Sequence, residues 1–119
     1  MEAKLKALRP RESLIQRAIL EYLAWRGVFA FRVNQQGVPL HDGRGGFRPS
    51  PTRGVSDILG ILPGGTFLAI EVKRPGKMPT DIQDEFLTRV GQAGGVAFVA
   101  TSVEDVEKFL EIALRSRAA

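Results

Sequence analysis

Apolar and polar positions in the first part of the chain predict a helix followed by a strand. Residues 11 to 26 place apolar side chains at helical spacing on one face. Pro10 stands near the start of this segment and Gly27 follows its end, which is the usual asymmetry of helix boundaries. Residues 28 to 34 (VFAFRVN) then alternate between two faces, and this pattern predicts a strand with a polar end.

Two short apolar runs in the middle of the chain predict a β-hairpin. They are VSDILGIL, residues 55 to 62, and TFLAIEVK, residues 66 to 73. The sequence PGG separates them, and a short loop containing glycine between two such runs is a hairpin signal. We therefore expect these two strands to be antiparallel neighbours.

The last third of the chain predicts a helix, a buried strand and a final helix. Residues 80 to 93 again show helical spacing, VAFVA (residues 96 to 100) is continuously apolar, and Ser102 is placed to cap a last helix. The order of elements is thus helix, strand, strand, strand, helix, strand, helix. Three consecutive strands followed by a strand–helix–strand crossover predict an α/β fold with a mixed sheet flanked by helices.

Residues 35 to 53 form the one stretch with a biased composition. This stretch is rich in Gly, Pro and Arg and has no periodicity, which predicts a long loop. Loops of this length are uncommon in compact domains and often functional. The length of 119 residues predicts a single domain, residues 1 to 119, in which we expect residues 1 to 10 to be flexible.

Charge and composition narrow the class of protein. The net charge is +4 and the pI about 10, a balance that suits a nucleic-acid partner without requiring one. Because the chain has no cysteine, it can form neither a disulfide nor a thiolate metal site. No run approaches the roughly 20 apolar residues of a membrane span, and residues 1 to 13 lack the apolar stretch of a signal peptide. We expect a cytoplasmic protein that is not bound to membranes.

The second hairpin strand ends in two charged residues on one face, Glu71 and Lys73. If the turn is the three residues 63 to 65, Asp57 lies directly opposite Glu71, and the two Cβ atoms are then about 5 Å apart. A two-residue turn would pair Asp57 with Val72 instead, because a slip of one residue turns every side chain to the other face. We predict the register that places Asp57 opposite Glu71.

Two adjacent carboxylates repel each other and call for a positive partner. A divalent metal is a suitable one, since Mg²⁺ prefers oxygen ligands and is commonly held by one or two carboxylates. The carbonyl of Val72 is a plausible third ligand, and Lys73 is placed to orient a water or to stabilise charge on a phosphate. The alternative is a structural salt bridge between Glu71 and Lys73, which would not need Asp57.

Several motifs in order along the chain resemble one nuclease family. Glu12 stands on the opening helix, FRVNQQG on the first strand, RGVSDILG and IEVKRPG on the hairpin, and GGVAFVATSVEDV at the end. Asp57 followed by Glu71-x-Lys73 is similar to the PD-(D/E)xK nuclease core, and the whole pattern resembles its VRR-NUC (virus-type replication-repair nuclease) family. The similarity runs from about residue 12 to residue 110. One departure is Ser56, where family members usually have proline.

The resemblance implies a fold, an activity and a set of partners. The fold is a restriction-endonuclease-like αβββαβ(α) core, and the activity is Mg²⁺- or Mn²⁺-dependent hydrolysis of phosphodiester bonds in DNA. Asp57 and Glu71 would bind the metal, Lys73 would be catalytic, and Glu12 and Gln83 would line the site. Stand-alone members of this size, often from phages, resemble homodimers that resolve Holliday junctions. The alternatives are a non-catalytic DNA-binding module and a flap nuclease subunit that needs a partner.

The accessory residues each have a simpler explanation as well. An acidic residue such as Glu12 is favoured in a first helical turn by the helix dipole, and Thr80 with Gln83 has the spacing of a capping box. Trp25, at the end of an amphipathic helix, is expected to pack. The candidate phosphate contacts are the basic residues of the first strand, of the loop and of the segment after Lys73: Arg32, Arg44, Arg48, Arg53, Arg74 and Lys77.

Overall fold

The computed structural model describes residues 11–33, 38–39, 43–48 and 54–118. Their order is helix, strand, two very short strands, a hairpin, helix, strand and helix. The helices are α1 (Glu12–Trp25), α2 (Asp81–Gln92) and α3 (Val103–Ala118). The strands are β1 (Phe29–Arg32), β2 (Val38–Pro39), β3 (Phe47–Arg48), β4 (Ile58–Leu62), β5 (Thr66–Val72) and β6 (Val96–Ala100).

A mixed four-stranded sheet in the order β1-β4-β5-β6 forms the centre of the fold. β4 pairs antiparallel with both β1 and β5, whereas β5 and β6 are parallel because α2 crosses over between them. Leu62 pairs with Thr66 across the turn, so that the loop has three residues, as the PGG sequence predicted. The α/β fold with a mixed sheet is therefore confirmed.

One face of the sheet is closed by α1 and α3. Alternation along the strands turns the aliphatic side chains of Ile58, Leu68 and Ile70 to this face, and all three are completely buried. The apolar stripe of α1, with Ile19 and Leu23 also completely buried, packs against them. This face contains the larger of the two hydrophobic clusters, and it is where most of the apolar surface is removed from water.

The opposite face of the sheet is covered only in part. α2 packs on β5 and β6 and, through Leu87 and Val90, forms a smaller cluster with Ala69. On the rest of this face, large apolar side chains of β1, β4 and β5 are exposed to solvent: Phe29, Phe31, Ile61 and Phe67. The sheet thus has a closed face, against α1 and α3, and a half-open face, against α2.

The structure departs from the sequence predictions in two places. The predicted loop from 35 to 53 contains a small two-stranded antiparallel sheet, in which Val38 pairs with Arg48. Trp25, expected to pack, is 81% exposed and contacts the ring of Tyr22 at 6.3 Å between centroids. The prediction for residues 1 to 10 lies outside the described residues. No helix within the described part is long and apolar enough to cross a membrane.

Candidate active site

Asp57 and Glu71 are neighbours on the half-open face. The register from Ile58 opposite Ile70 to Leu62 opposite Thr66, continued by one residue, sets Asp57 opposite Glu71. The Asp57 carbonyl accepts a hydrogen bond from the Val33 backbone at 2.8 Å, which continues the β1–β4 ladder to this position. The register predicted from the PGG turn is therefore the one the structure has, and the alternative pairing of Asp57 with Val72 is excluded.

Glu71 is a carboxylate in an unusually dry position. It is 1% exposed, and its Oε2 is buried without a hydrogen-bond partner. Burial, and after it the neighbouring Asp57 carboxylate, together raise the pKa of the Glu71 carboxyl to about 8 against the opposing effect of Lys73. Without a cation, Glu71 therefore holds a proton at neutral pH.

Lys73 supplies the positive charge next to this pair. Its Nζ lies 3.7 Å from Glu71 Oε1, and its side chain is 12% exposed. The backbone N–H of Lys73 donates to the Ala100 carbonyl at 3.0 Å, so the parallel pairing with β6 extends to this residue and holds it in place. When both carboxylates are ionised, this one ammonium group compensates only one of them, and a second positive charge is needed.

The backbone at Val72 faces Asp57. Its N–H donates to Asp57 Oδ2 at 2.9 Å, which is the contact that fixes the aspartate side chain. In an extended strand the N–H and C=O of one residue point to the same side. The Val72 carbonyl is therefore directed to the Asp57 side of β5, beyond the first paired residue of β4, as a metal ligand would require.

These groups fit a divalent cation. Asp57, Glu71 and the Val72 carbonyl offer oxygen atoms only, which is the donor set preferred by Mg²⁺ and tolerated by Mn²⁺. The unpartnered Glu71 Oε2 and the high pKa of this carboxyl mark a place where a cation would replace a proton. Within residues 11–33, 38–39, 43–48 and 54–118, no group of three Asp, Glu, His or Cys side chains lies together, so a backbone carbonyl or water must complete the ligand set.

Glu12 lies in a neighbouring cleft of about 370 Å³. This cleft is also lined by Arg11, Ser13, Arg74 and Lys77, which brings the first turn of α1 beside the segment that follows β5. Glu12 is half-buried. It does not form a three-carboxylate group with Asp57 and Glu71. Its active-site role stays a prediction.

Gln83 caps α2. Its Oε1 accepts a hydrogen bond from the Thr80 N–H at 2.9 Å, and the Thr80 hydroxyl accepts from the Gln83 N–H at 3.3 Å. This is the capping box expected from the spacing. The side-chain oxygen is thereby engaged at the helix start, and the proposed role of Gln83 in the site stays untested.

The predicted phosphate contacts are distributed over three regions. Arg32 is exposed at the end of β1 and donates to the Ser13 carbonyl at 3.4 Å, whereas Arg74 and Lys77 line the Glu12 cleft together with Arg11. Arg44 is an exposed loop residue. Arg53 and the side chain of Arg48 lie outside the described residues. Arg11 was not among the predicted phosphate contacts, but it lines the same basic cleft. Its position directly before Glu12 in the sequence could have indicated this.

A second cavity, of about 550 Å³, lies along α2 and away from the carboxylates. Phe67, Ile82, Phe86 and Val90 form its apolar lining, and Glu85 and Arg89 its polar rim. Gly54 forms part of the wall with a positive φ of 88° and close contact to Ile82. Neither Asp57 nor Glu71 contributes to this cavity, so its size gives no reason to place the chemistry there.

Comparison with known proteins supports one family. The fold is similar to the solved structure of a "VRR_NUC domain", with a TM-score of 0.61 and 26% sequence identity, over 84% of this chain and 94% of the other. No family model and no curated protein matches the sequence. The similarity covers nearly the whole of the solved domain, and the predicted resemblance is thereby confirmed at the level of the domain.

Proposed function

Because the chain has the structure of a VRR-NUC domain, we propose that it is a divalent-metal-dependent nuclease that hydrolyses phosphodiester bonds in DNA. The observation that carries this proposal is the Glu71 carboxylate, 1% exposed, with one oxygen unpartnered beside Asp57. Ionising a carboxyl group in such a buried position is costly unless the charge is paired or bound to a metal. A role in binding Mg²⁺ or Mn²⁺ accounts for its place in the fold.

The residues of the site have distinct tasks in such a reaction. Asp57, Glu71 and the Val72 carbonyl would hold the cation, which supplies Lewis acidity at the phosphate and lowers the pKa of water. Val72 N–H orients Asp57 through the 2.9 Å hydrogen bond. Lys73, 3.7 Å from Glu71, holds that carboxylate in its orientation and places a positive charge where the attacked phosphate gains negative charge.

The basic residues around the site suit the DNA backbone. Arg74 and Lys77 lie in the segment that follows β5 and share a cleft with Arg11 and Glu12. We propose that this cleft holds a phosphate next to the one that is cleaved, and that Arg32, Arg44, Arg48 and Arg53 contact the strand further away. Contacts of this type add affinity that falls with salt concentration, but they do not read the sequence.

The finer proposal is that the substrate is branched DNA and that the active form is a homodimer. Two strands of a four-way junction are cut symmetrically only if two active sites act together, and one chain of this length has one site. A cytoplasmic role in bacterial or phage DNA repair agrees with this substrate. The competing assignments are a non-catalytic DNA-binding module and a flap nuclease subunit that needs a partner.

The test is cleavage of end-labelled four-way junction, flap, duplex and single-stranded DNA with Mg²⁺ or Mn²⁺, beside sedimentation measurements of mass. We expect metal-dependent cleavage of a branched substrate by a dimer. Asp57→Asn, Glu71→Gln and Lys73→Met should each lower the rate by about 100-fold or more. Glu85→Gln and Lys108→Met, exposed residues on α2 and α3, are the controls and should cleave normally.

Each competing assignment gives a different result in the same assay. DNA binding that weakens with salt, without product at any metal concentration, identifies a binding module. Cleavage of flaps by a monomer would identify a flap nuclease and exclude the proposal of a junction-resolving homodimer. Undiminished cleavage by the three site variants would refute the assignment of the active site.

A further inference from the structure

Four apolar side chains form an exposed surface on the half-open face. Phe29 is 67% exposed, Phe31 48%, Ile61 49% and Phe67 41%. We call this surface, Phe29, Phe31, Ile61 and Phe67, the aromatic face. The rings of Phe29 and Phe31 meet edge to face, with centroids 6.0 Å apart. Contiguous exposed apolar surface of this kind marks a place where something binds.

The strand register places Phe31, at one end of the aromatic face, next to the carboxylates. Phe29 pairs with Ile61 and Ile61 with Phe67, which gives one row across three strands. Phe31 lies in the next row, opposite Leu59, and Asp57 with Glu71 in the row after that. Rows on one face of a strand are about 6 to 7 Å apart. Phe31 is consequently a diagonal neighbour of Asp57, at roughly 7 to 8 Å between backbones.

This spacing and the chemistry of the neighbourhood select the ligand. A DNA strand with its phosphate at Asp57 and Glu71 brings the adjacent nucleotide over Phe31, and an aromatic ring is a platform for any base. The base can lie there only if it is unstacked from its own helix. The net charge of +4 favours the same polyanion.

A second copy of the chain is the other occupant to consider. A protein seated on Phe31 would extend over the adjacent row and cover the two carboxylates that must admit a phosphate. A nucleotide, in contrast, occupies both rows with one molecule. The continuity of the aromatic face with the carboxylates therefore favours DNA as its occupant.

We propose that the aromatic face, and Phe31 above all, stacks unpaired bases next to the cleaved phosphate. The domain would then select a strand whose bases lie outside a duplex at the cut, as at an open branch point or a flap. This inference rests on the proposed function for the position of the phosphate, but base stacking can be measured without cleavage.

The experiment measures DNA binding in EDTA. The parent protein carries Trp25→Phe, so that in the Phe31→Trp variant the tryptophan fluorescence comes from position 31 alone. Fluorescence anisotropy gives the affinity for a labelled single strand and for the same strand with abasic sites in place of bases, which keeps every phosphate charge. Phe31→Ala should weaken binding to the normal strand by roughly 5- to 150-fold and to the abasic strand by less than about 2-fold. Phe31→Trp should restore affinity, and its fluorescence should be quenched by the normal strand alone.

The controls distinguish stacking from its alternatives. Ile112→Ala removes another exposed apolar side chain, 60% exposed on α3, and should leave binding unchanged. Equal loss with normal and abasic DNA, absence of single-strand binding by the parent, or a Phe31→Ala protein that changes from dimer to monomer would each overturn the proposal. Thermal unfolding checks that the variants are folded. If stacking is observed but no DNA is cleaved with any metal, the proposed function fails, whereas base stacking on Phe31 is upheld.

Discussion

The two faces of the central sheet carry different kinds of side chain, although the same strands contribute to both. On the closed face, Ile58, Leu68 and Ile70 are completely buried under α1 and α3. On the half-open face, the same two strands carry Asp57 and Glu71, with exposed apolar side chains beside them. Alternation along β4 and β5 thus separates the hydrophobic core from the candidate chemistry by one residue.

This difference teaches how a chain of 119 residues can keep a charged site close to its core. The closed face supplies apolar burial, the dominant favourable contribution to folding. The half-open face keeps a desolvated carboxylate and exposed aromatic rings, both of which are unfavourable in the isolated domain. We infer that stability is concentrated on one face and function on the other, and the following predictions test this division.

The largest difference in stability is expected between Ile70→Ala and Ile61→Ala. Ile70 is fully buried on the closed face, and its truncation should lower the free energy of unfolding by about 2 to 5 kcal/mol through lost burial and a cavity. Ile61 is 49% exposed on the half-open face, and the same change should cost less than about 1 kcal/mol. Urea unfolding measures both, and equal costs would contradict the division between the faces.

Removing the charge of Glu71 should stabilise the metal-free protein. The carboxyl has a pKa raised to about 8 from 4.5, so the folded state binds a proton more tightly than the unfolded chain. Stability from this group is therefore lost as the pH rises from about 4.5 to about 8. At pH 9 in EDTA we expect Glu71→Gln to raise the free energy of unfolding by about 2 to 4 kcal/mol, and at pH 5 by much less.

The control for this prediction is Glu85→Gln, which changes an exposed carboxylate on α2. It should alter stability by less than about 0.5 kcal/mol at either pH. A Glu71→Gln protein that is less stable than the wild type at pH 9 would mean that the carboxylate is a structural partner of Lys73, and would favour the salt-bridge interpretation.

Gly54 lies in the segment that leads into Asp57 and β4. It has a φ of 88°, and an added Cβ would collide with Ile82 of α2. Gly64 in the hairpin turn has a φ of 90° but open space around it. Gly54→Ala should therefore cost about 2 to 3 kcal/mol and Gly64→Ala about 1 kcal/mol, since both carry backbone strain but only one is overpacked. Thermal unfolding of the two variants gives the difference directly, and equal losses would show that α2 yields at this contact.

The smallest effect is expected at Ser56, just before Asp57. Its hydroxyl is completely buried without a hydrogen-bond partner. Removing an unsatisfied buried polar group should be neutral or stabilising, so we expect Ser56→Ala to raise the free energy of unfolding by up to about 1 kcal/mol. Ser116→Ala, an exposed position on α3, should change it by less than about 0.5 kcal/mol. A clear loss of stability in Ser56→Ala would reveal a partner for the hydroxyl.

The sequence was sufficient to predict the sheet and the carboxylate pair. Helical and alternating patterns located the main elements. The prediction of a three-residue PGG loop, chosen over a two-residue one, set Asp57 opposite Glu71, and the structure has this register. The prediction of a metal site followed from that register, since two carboxylates and a lysine on one face suggest a bound divalent cation. The structural similarity to a VRR-NUC domain agrees with the motif pattern.

Three features of the structure could not be predicted from the spacing of apolar residues: the aromatic face, the exposure of Trp25 and the pairing of β2 with β3. The pattern of β1 separates Phe29 and Phe31 from Ala30, but it cannot say which face lies under a helix, and the aromatic face was missed for that reason. Trp25 has the helical spacing of the apolar face of α1, yet it lies beyond the edge of the core and is exposed. The pairing of Val38 with Arg48 joins residues within a Gly- and Pro-rich stretch, where neither periodicity gives a signal.

The most direct test of the central claim is a calorimetric titration of Mn²⁺ into the metal-free protein. We expect binding by the wild type and by Glu85→Gln, with affinity that increases as the pH rises toward 8, because the cation displaces the proton held by Glu71. Asp57→Asn and Glu71→Gln should each lose at least about tenfold in affinity. If both variants bind Mn²⁺ as the wild type does, the half-open face does not hold the metal and the account is wrong.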